Sequence, residues 1–151
     1  MTTLYEQDFG LWLEQTINKI RAREFELVDW ENLLEELEDL GKSEKRALVS
    51  NLVVLIAHLL KLQVQQDAPE SMKKGWRDSV VEHRERVLID LHKIPSLKSY
   101  LSEAIQEAYP SARKVAIKQG QGKAVGKPYV FEYPETCPFR IEEVLDEDFY
   151  G

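Results

Sequence analysis

Apolar residues recur at helical spacing along most of the chain, and the densest such segment predicts a helix at about 43–65. Nearly every position in its second half is apolar, which is typical of a helix buried on most of its circumference. At about 100° per residue, the polar exceptions other than Gln63, which lies opposite, fall in one stripe roughly 100° wide. These exceptions are Ser43, Ser50, Asn51, His58, Lys61 and Gln65. The pattern therefore predicts a central core helix that carries one polar seam.

The remaining pattern predicts helices on both sides of the central one. Asp29 is a suitable N-cap for the preceding helix, and Gly41 is a suitable stop. Pro95 ends a later helix, and Pro110 breaks or kinks the helix after it. The predicted helices cover 4–22, 30–40, 43–65, 76–94, 96–108 and 113–118, with a short acidic helix near Ile141–Leu145. We therefore predict an all-α fold, a compact bundle-like domain of five or six helices.

Length and turn residues predict how the chain is divided. A chain of 151 residues is long enough to bury a proper core, so we expect residues 1–151 to form one helical domain. Three glycines within 119–128 predict a flexible loop. The prolines that follow predict an extended C-terminal tail at 129–151.

Charge, cysteine content and the length of apolar runs limit the possible partners and cellular location of the protein. The formal net charge of −7 argues against a protein that coats nucleic acid or anionic membranes. The single cysteine, Cys137, excludes an internal disulfide. The longest apolar run, Leu52–Leu62, is interrupted by His58 and Lys61 and is too short to span a bilayer. Because the N-terminus shows no signal-peptide pattern either, we predict a cytoplasmic protein without membrane contact.

Several short motifs follow one another along the chain. They are YEQDFGLWLEQ, FELVDWENLLEELEDLGKSEKR, LIAHLLKLQ, W-R-x-S-x-x-E-H-R, IPSLK, AY-x-x-ARK-x-A and CPF-R-x-E-E-V-L. In this order they resemble the bacterial family catalogued as domain of unknown function 29, abundant in cyanobacteria. The matching residues are Asp8, Trp12, Asp29, Trp30, Glu35, Glu36, Glu38, Gly41, His58, Lys61, Trp76, Glu82, Arg84 and Pro95. The resemblance covers nearly the whole chain and implies a compact all-helical protein that usually stands alone, with no established activity.

Charged residues on apolar faces are the first candidates for a functional site. Arg84 lies within the apolar arc of the 76–94 helix, and a buried charge costs several kcal/mol unless it is paired. We therefore predict that Asp29 or Glu36 lies within salt-bridge reach of Arg84. His58 and Lys61 are expected to face the same interior, so the five side chains would converge.

Two interpretations of this cluster remain open. A histidine beside a carboxylate forms a general acid/base pair, and lysine with arginine binds a phosphate or carboxylate. A buried polar network also fixes helix register without any activity, and we favour this second interpretation. For His58 we expect burial and nearby cations to lower the pKa, which leaves a neutral imidazole with one hydrogen-bond partner at neutral pH.

Two further candidates are clusters of charge. Glu35, Glu38 and Asp39 have a spacing that suits Mg²⁺, but an exposed acidic helix face explains them better. Because no two histidines have metal-ligand spacing, we expect no metal and no cofactor.

A set of basic residues near aromatic residues suits nucleic-acid binding, although a solvated face is the favoured interpretation. This set comprises Lys73, Lys74, Arg77, Arg113, Lys114 and Lys118.

The sequence therefore predicts an interaction or regulatory module with a structural polar seam and an unknown protein partner. The alternative is an enzyme that acts on a phosphate-bearing substrate, such as RNA or a nucleotide. Its candidate catalytic residues are His58, Glu36, Lys61, Arg84 and Asp29. A pocket that leaves His58 reachable by solvent favours the enzyme, whereas a sealed seam and a broad exposed apolar patch favour the module.

Overall fold

A single helix of 35 residues, α3, spans Trp30–Val64 and is the longest element of the protein. The computed structural model describes residues 1–120 and 132–151, and this part of the chain contains helices and turns but no strand. The other helices are α1 Leu4–Gln7, α2 Phe9–Arg21, α4 Glu70–Lys93, α5 Leu101–Gly120 and α6 Ile141–Leu145, with 3₁₀ turns at Phe25–Leu27 and Pro95–Ser99. The predicted all-α class is confirmed.

The second half of α3 lies at the centre of the core. Leu52, Leu55 and Leu59 are fully buried and recur every three or four residues along the helix. They belong to one apolar cluster with Val80 and Val87 of α4 and with a stripe of buried alanines on α5. The prediction of a buried central helix is confirmed for this half, because an apolar arc this wide is stable only when protein covers it.

The predicted helix boundary at Gly41 and Ser43 is wrong, because α3 continues through both residues. Glycine ends a helix when a positive φ reverses the chain, and Gly41 does not have a positive φ. A glycine inside a helix costs only about 1 kcal/mol relative to alanine. The helix-forming residues on either side therefore carry α3 through this position.

The predicted break at Pro110 is also wrong. The two helices predicted at 96–108 and 113–118 are one helix, α5, which reaches into the predicted loop 119–128. Proline removes one backbone donor, but the buried face of the helix continues on both sides of it. That face includes Ala104, Ala108, Ala112 and Ala116. Residues 121–131 lie outside the described residues, so the rest of the loop and the start of the tail stay predictions.

Three further boundaries test the sequence analysis. The helix predicted at 4–22 is divided at Asp8, whose side chain accepts a hydrogen bond of 3.0 Å from the Leu11 amide and caps α2. α4 begins directly after Pro69, earlier than predicted, and contains Gly75 in its interior. The short acidic helix predicted at Ile141–Leu145 is confirmed by α6.

The chain divides into two compact units, Met1–Ser43 and Glu44–Gly151. The C-terminal unit holds the apolar core cluster described above. Within residues 1–43, all of which are described, only Trp12, Thr16 and Val28 are buried. The organisation of residues 1–151 as one domain stays a prediction.

By length and composition, α3 is apolar enough to cross a membrane. Its most apolar 18-residue window has a mean hydropathy of 1.8, and 44% of that window is buried inside the protein. The apolar segment is longer than the run Leu52–Leu62, because α3 continues through His58 and Lys61. The core helix of a soluble protein meets the same criteria, so this is weak evidence for a membrane span. The cytoplasmic location and the lack of membrane contact stay predictions.

The continuity of α3 can be tested at Gly41. A Cβ added there meets nothing within 4 Å. Gly41→Ala should therefore raise the free energy of unfolding by about 0.5–1 kcal/mol, because alanine loses less backbone entropy in a helix. Urea unfolding followed by circular dichroism measures the difference. A destabilised Gly41→Ala variant would show instead that the helix ends there.

Gly151→Ala is the matched contrast for this experiment. Gly151 has φ +98°, and an added Cβ would lie 2.9 Å from the Leu59 carbonyl oxygen. Alanine is strained at this φ and has no room, so this substitution should not stabilise the protein.

Candidate functional site

Most of the exposed large apolar side chains lie in the N-terminal unit. Of thirteen in the described residues, eleven fall within residues 1–43. Small monomeric units rarely leave so much apolar surface in water, because burial of each such side chain is worth about 1.5–3 kcal/mol. Apart from Met1, they are Phe9, Leu11, Leu13, Ile17, Phe25, Leu27, Trp30, Leu34, Leu37 and Leu40.

Four of these side chains form a stripe on the first half of α3, which we call the leucine stripe. It comprises Trp30, Leu34, Leu37 and Leu40. Residues at three- and four-residue spacing share one side of a helix. By the same helical repeat, Glu31 and Glu38 border one edge of the stripe and Glu36 borders the other. The stripe is thus an apolar surface with two carboxylates on one edge and one on the other.

The formal charge of the chain is concentrated in the same unit. Residues 1–43 carry eleven of the 27 acidic residues and four of the 20 basic ones, which accounts for the whole net charge of −7. Residues 44–151 balance at sixteen acidic and sixteen basic residues. The N-terminal unit therefore has a negative potential as well as exposed apolar surface.

The two carboxylates predicted to pair with Arg84 have partners inside the N-terminal unit. The Tyr5 hydroxyl donates a hydrogen bond to the Glu36 carboxylate, and this bond raises the pKa of Tyr5 to about 12. The Asp29 carboxylate accepts hydrogen bonds from the Asn32 amide at 3.3 Å and from the Asn32 side chain at 2.6 Å. Asp29 therefore stabilises the start of α3, as its position before the helix indicated.

Arg84 is buried, as its place in the apolar arc predicted, but the predicted acidic partner is wrong. The Arg84 guanidinium donates to the Val144 carbonyl at 2.8 Å and to the Phe149 carbonyl at 2.7 Å. It belongs to none of the ion pairs within 1–120 and 132–151. Burial lowers the pKa of Arg84, and the neighbouring Tyr150, Asp146 and Glu147 oppose that shift. Arg84 thus fastens the C-terminal segment to α4 through backbone oxygens.

His58 and Lys61 line one cavity of about 550 Å³ in the C-terminal unit. His58 is half-buried, and its Nδ1 lies 2.7 Å from the Val54 carbonyl oxygen. Because a carbonyl oxygen only accepts, Nδ1 carries the hydrogen and Nε2 is left for other contacts. Burial lowers the pKa of His58, with a smaller contribution from Lys61. The lowered pKa of His58 and its hydrogen bond to one backbone carbonyl agree with the predictions for this residue.

Lys61 is only 5% exposed, although it carries a charge. Its ammonium donates a hydrogen bond to the Gln119 side chain and lies 5.6 Å from the centre of the Trp76 ring. Gln119 and Trp76 both line the cavity that contains His58, so the Lys61 charge lies at the cavity wall. Of the five predicted catalytic candidates, the structure places these two, His58 and Lys61, on one cavity and Arg84 on another.

The predicted nucleic-acid set is occupied in part by contacts within the protein. Lys74 pairs with Asp78 at 3.0 Å, and Arg77 pairs with Glu70. Lys73 donates to the Gln66 carbonyl, and Arg113 donates to the Pro134 carbonyl at 3.0 Å. Lys114 and Lys118 are exposed on α5. A nucleic-acid role for this set stays a prediction.

Metal and thiol chemistry have little support in the described residues. Among them, no group of three or more His, Cys, Asp or Glu side chains could hold a metal ion. Burial raises the pKa of the Cys137 thiol, whose Sγ lies 3.6 Å from the Phe139 carbonyl oxygen. A raised pKa keeps this thiol protonated and makes it a poor nucleophile.

Residues 4–150 match the family described as "Domain of unknown function DUF29". The chain belongs to the DUF29 family. No curated protein and no solved structure matches it. The family assignment from the motifs is therefore confirmed, and the function has to be inferred from the structure of this DUF29 protein.

Sequence reasoning missed the exposed apolar surface of the DUF29 protein. The stripe of leucines on the helix predicted at 30–40 has the spacing of a core-facing stripe, and spacing does not show whether protein covers it. The distribution of charge was a signal that the N-terminal segment differs from the rest, because residues 1–43 are acidic and residues 44–151 are neutral overall.

Arg84→Ala should lower the free energy of unfolding of this DUF29 protein by about 2–4 kcal/mol, because the buried Val144 carbonyl and the half-buried Phe149 carbonyl lose their donors. Urea unfolding measures the loss. Arg86→Ala is the control: its pair with Glu82 is exposed, so the change should stay within about 0.5 kcal/mol. Equal losses in the two variants would contradict the role of Arg84.

The lowered pKa of His58 predicts a pH dependence of stability. Because the folded-state pKa lies below the ordinary value of 6.5, the unfolded chain binds a proton first as the pH falls. The contribution of His58 is therefore complete above about pH 6.5 and is lost as the pH falls through its folded-state pKa.

The measurement is the free energy of unfolding against pH for wild type, His58→Gln and the control His92→Gln. His92 is exposed on α4. His58→Gln should remove part of the loss of stability that wild type shows in acid, while His92→Gln should retain it. Identical profiles for wild type and His58→Gln would overturn the assignment.

Proposed function

We propose that this DUF29 protein is an interaction module that binds a basic, amphipathic helical segment of a partner protein on the leucine stripe of α3. The observation that carries the proposal is the exposed apolar surface of the N-terminal unit. Ten large apolar side chains besides Met1 are exposed there, whereas Trp12 and Val28 are its buried apolar side chains. An apolar surface of this kind is typical of a protein-interaction site.

The charge of the unit selects the chemistry of the partner. Carboxylates border the leucine stripe on both edges, and the unit carries a net charge of −7. A helix with an apolar face and lysine or arginine on its flanks complements both features. A second copy of the same surface would bring like charges together, which opposes association. We therefore infer a basic partner segment and not a second copy.

The enzyme alternative has less support. The contacts of Asp29 and Glu36 are within the N-terminal unit, and those of Arg84 go to backbone oxygens of the C-terminal segment. Among the described residues, His58 has a backbone carbonyl as its hydrogen-bond partner and not the carboxylate that a general acid/base pair requires. The cavity beside His58 meets one expectation for an enzyme, but its described lining contains no carboxylate to pair with the imidazole.

The proposal predicts binding of a synthetic leucine–lysine amphipathic peptide without tryptophan. Trp30 lies on the stripe, so its fluorescence should shift to shorter wavelength as the peptide covers it. A leucine–glutamate peptide of the same length is the control for charge and should not bind. Added salt should weaken binding of the basic peptide, because the flanking charges are exposed.

Two variants identify the surface. Leu34→Ser with Leu37→Ser should weaken binding by about tenfold or more, because two apolar contacts are lost. Val81→Ser with Ile89→Ser removes two exposed apolar side chains of α4 and should leave binding unchanged. Equal binding of the two peptides, or equal affinity in the two variants, would refute the proposal. A wild-type dimer that dissociates in the Leu34/Leu37 variant would identify a second copy as the occupant instead.

A further inference from the structure

The cavity beside His58 lies outside the leucine stripe and contains a concentration of positive charge. Its walls come from α3, α4 and the end of α5, and include Lys61, Lys118, Ser71 and Gln119. Two of these side chains are cations, and the described lining contains no carboxylate. At about 550 Å³, the cavity is of the size that binds small molecules in other proteins.

The burial of Lys61 is the strongest feature of this cavity. An ammonium on the core helix is costly to bury, and lysine is almost never fully buried unless it is paired. Here the ammonium contacts Gln119 and the Trp76 ring, which both line the cavity. The stem of Lys61 therefore lies in the core, while its charge is held at the wall of an accessible space.

His58 adds a group whose hydrogen bonding depends on what occupies the cavity. Its Nδ1 is held by the Val54 carbonyl, so Nε2 is the nitrogen left for a ligand. Nε2 accepts a hydrogen bond when the ring is neutral and donates one when it is protonated. A neighbouring anion stabilises the protonated ring, so occupancy by an anion should be measurable at His58 itself.

We propose that this cavity binds a small molecule with a phosphate or carboxylate group on an apolar body. Lys61 and Lys118 bind the anionic group, and Ser71 and Gln119 offer it hydrogen-bond donors. The apolar body packs against Trp76, which faces the same space. Two cations from different helices give the site a preference for anions that a single surface lysine lacks.

The experiment uses the full chain and three probes: phenyl phosphate, benzoate and inorganic phosphate. The imidazole resonances of the three histidines are followed by NMR as each probe is added. A bound anion should shift the His58 resonances and raise the pKa of His58, with smaller changes at the exposed His92. Tighter binding of phenyl phosphate than of benzoate assigns the site to phosphate groups, and the reverse order assigns it to carboxylates. Tighter binding of phenyl phosphate than of inorganic phosphate shows that Trp76 contacts the apolar body.

Lys61→Met tests the site directly, because methionine fills the buried stem position without the charge. It should weaken binding by about tenfold or more, the value of one charge-assisted hydrogen bond. Lys118→Ala is a second variant at an exposed position and should weaken binding without unfolding the protein. Lys98→Met, an exposed lysine that does not line the cavity, is the control and should bind as wild type does.

Two outcomes would overturn the proposal. One is the absence of any shift at His58 with all three probes at millimolar concentration. The other is unchanged affinity in both Lys61→Met and Lys118→Ala. Every variant lies outside residues 1–43, so these results are independent of peptide binding on the leucine stripe.

Discussion

The apolar second half of α3 has to be covered by protein, and much of the C-terminal unit follows from that constraint. Leu52, Leu55 and Leu59 are fully buried in one cluster with residues of α4 and α5. Because one cluster joins residues of α3, α4 and α5, the same burial stabilises all three helices. A glycine in α4 and a proline in α5 are tolerated for this reason: each weakens a helix locally, while burial of other residues of the same helix in the cluster stabilises it.

Two buried cations, Arg84 and Lys61, show how this core accommodates charge. Arg84 donates to two carbonyl oxygens, so it ties the C-terminal segment to α4 without a buried carboxylate. Lys61 leaves its stem in the core and brings its ammonium to a cavity wall with Gln119 and Trp76. The first arrangement contributes to stability, because it pairs backbone groups that would otherwise be buried alone. The second places a charge where a small molecule can reach it, which is typical of a binding site.

The two units differ in how their apolar residues are used. In the described part of 44–151, most apolar residues are buried in one cluster, and the charges of this unit balance. Residues 1–43 expose theirs and hold the whole net charge. Burying the leucine stripe against a basic partner would cover apolar surface and neutralise carboxylates. One contact would therefore remove both the exposure of apolar side chains to water and the repulsion between like charges.

Spacing along the sequence determined the all-α class, α6 at Ile141–Leu145, the burial of Arg84 and the lowered pKa of His58. Each of these features depends on which residues share one side of a helix, which the order of apolar residues specifies.

The tertiary structure decided which groups meet. Backbone carbonyls carry no sequence signature, so the partners of Arg84 could not be predicted from residue types. Gly41 and Pro110 are local helix-breaking signals of a few kcal/mol at most. Helix-forming neighbours outweigh the signal at Gly41, and burial of the α5 face outweighs it at Pro110. The leucine stripe has the same spacing whether it faces a core or a partner, because periodicity specifies a direction around the helix and only the fold specifies what lies there.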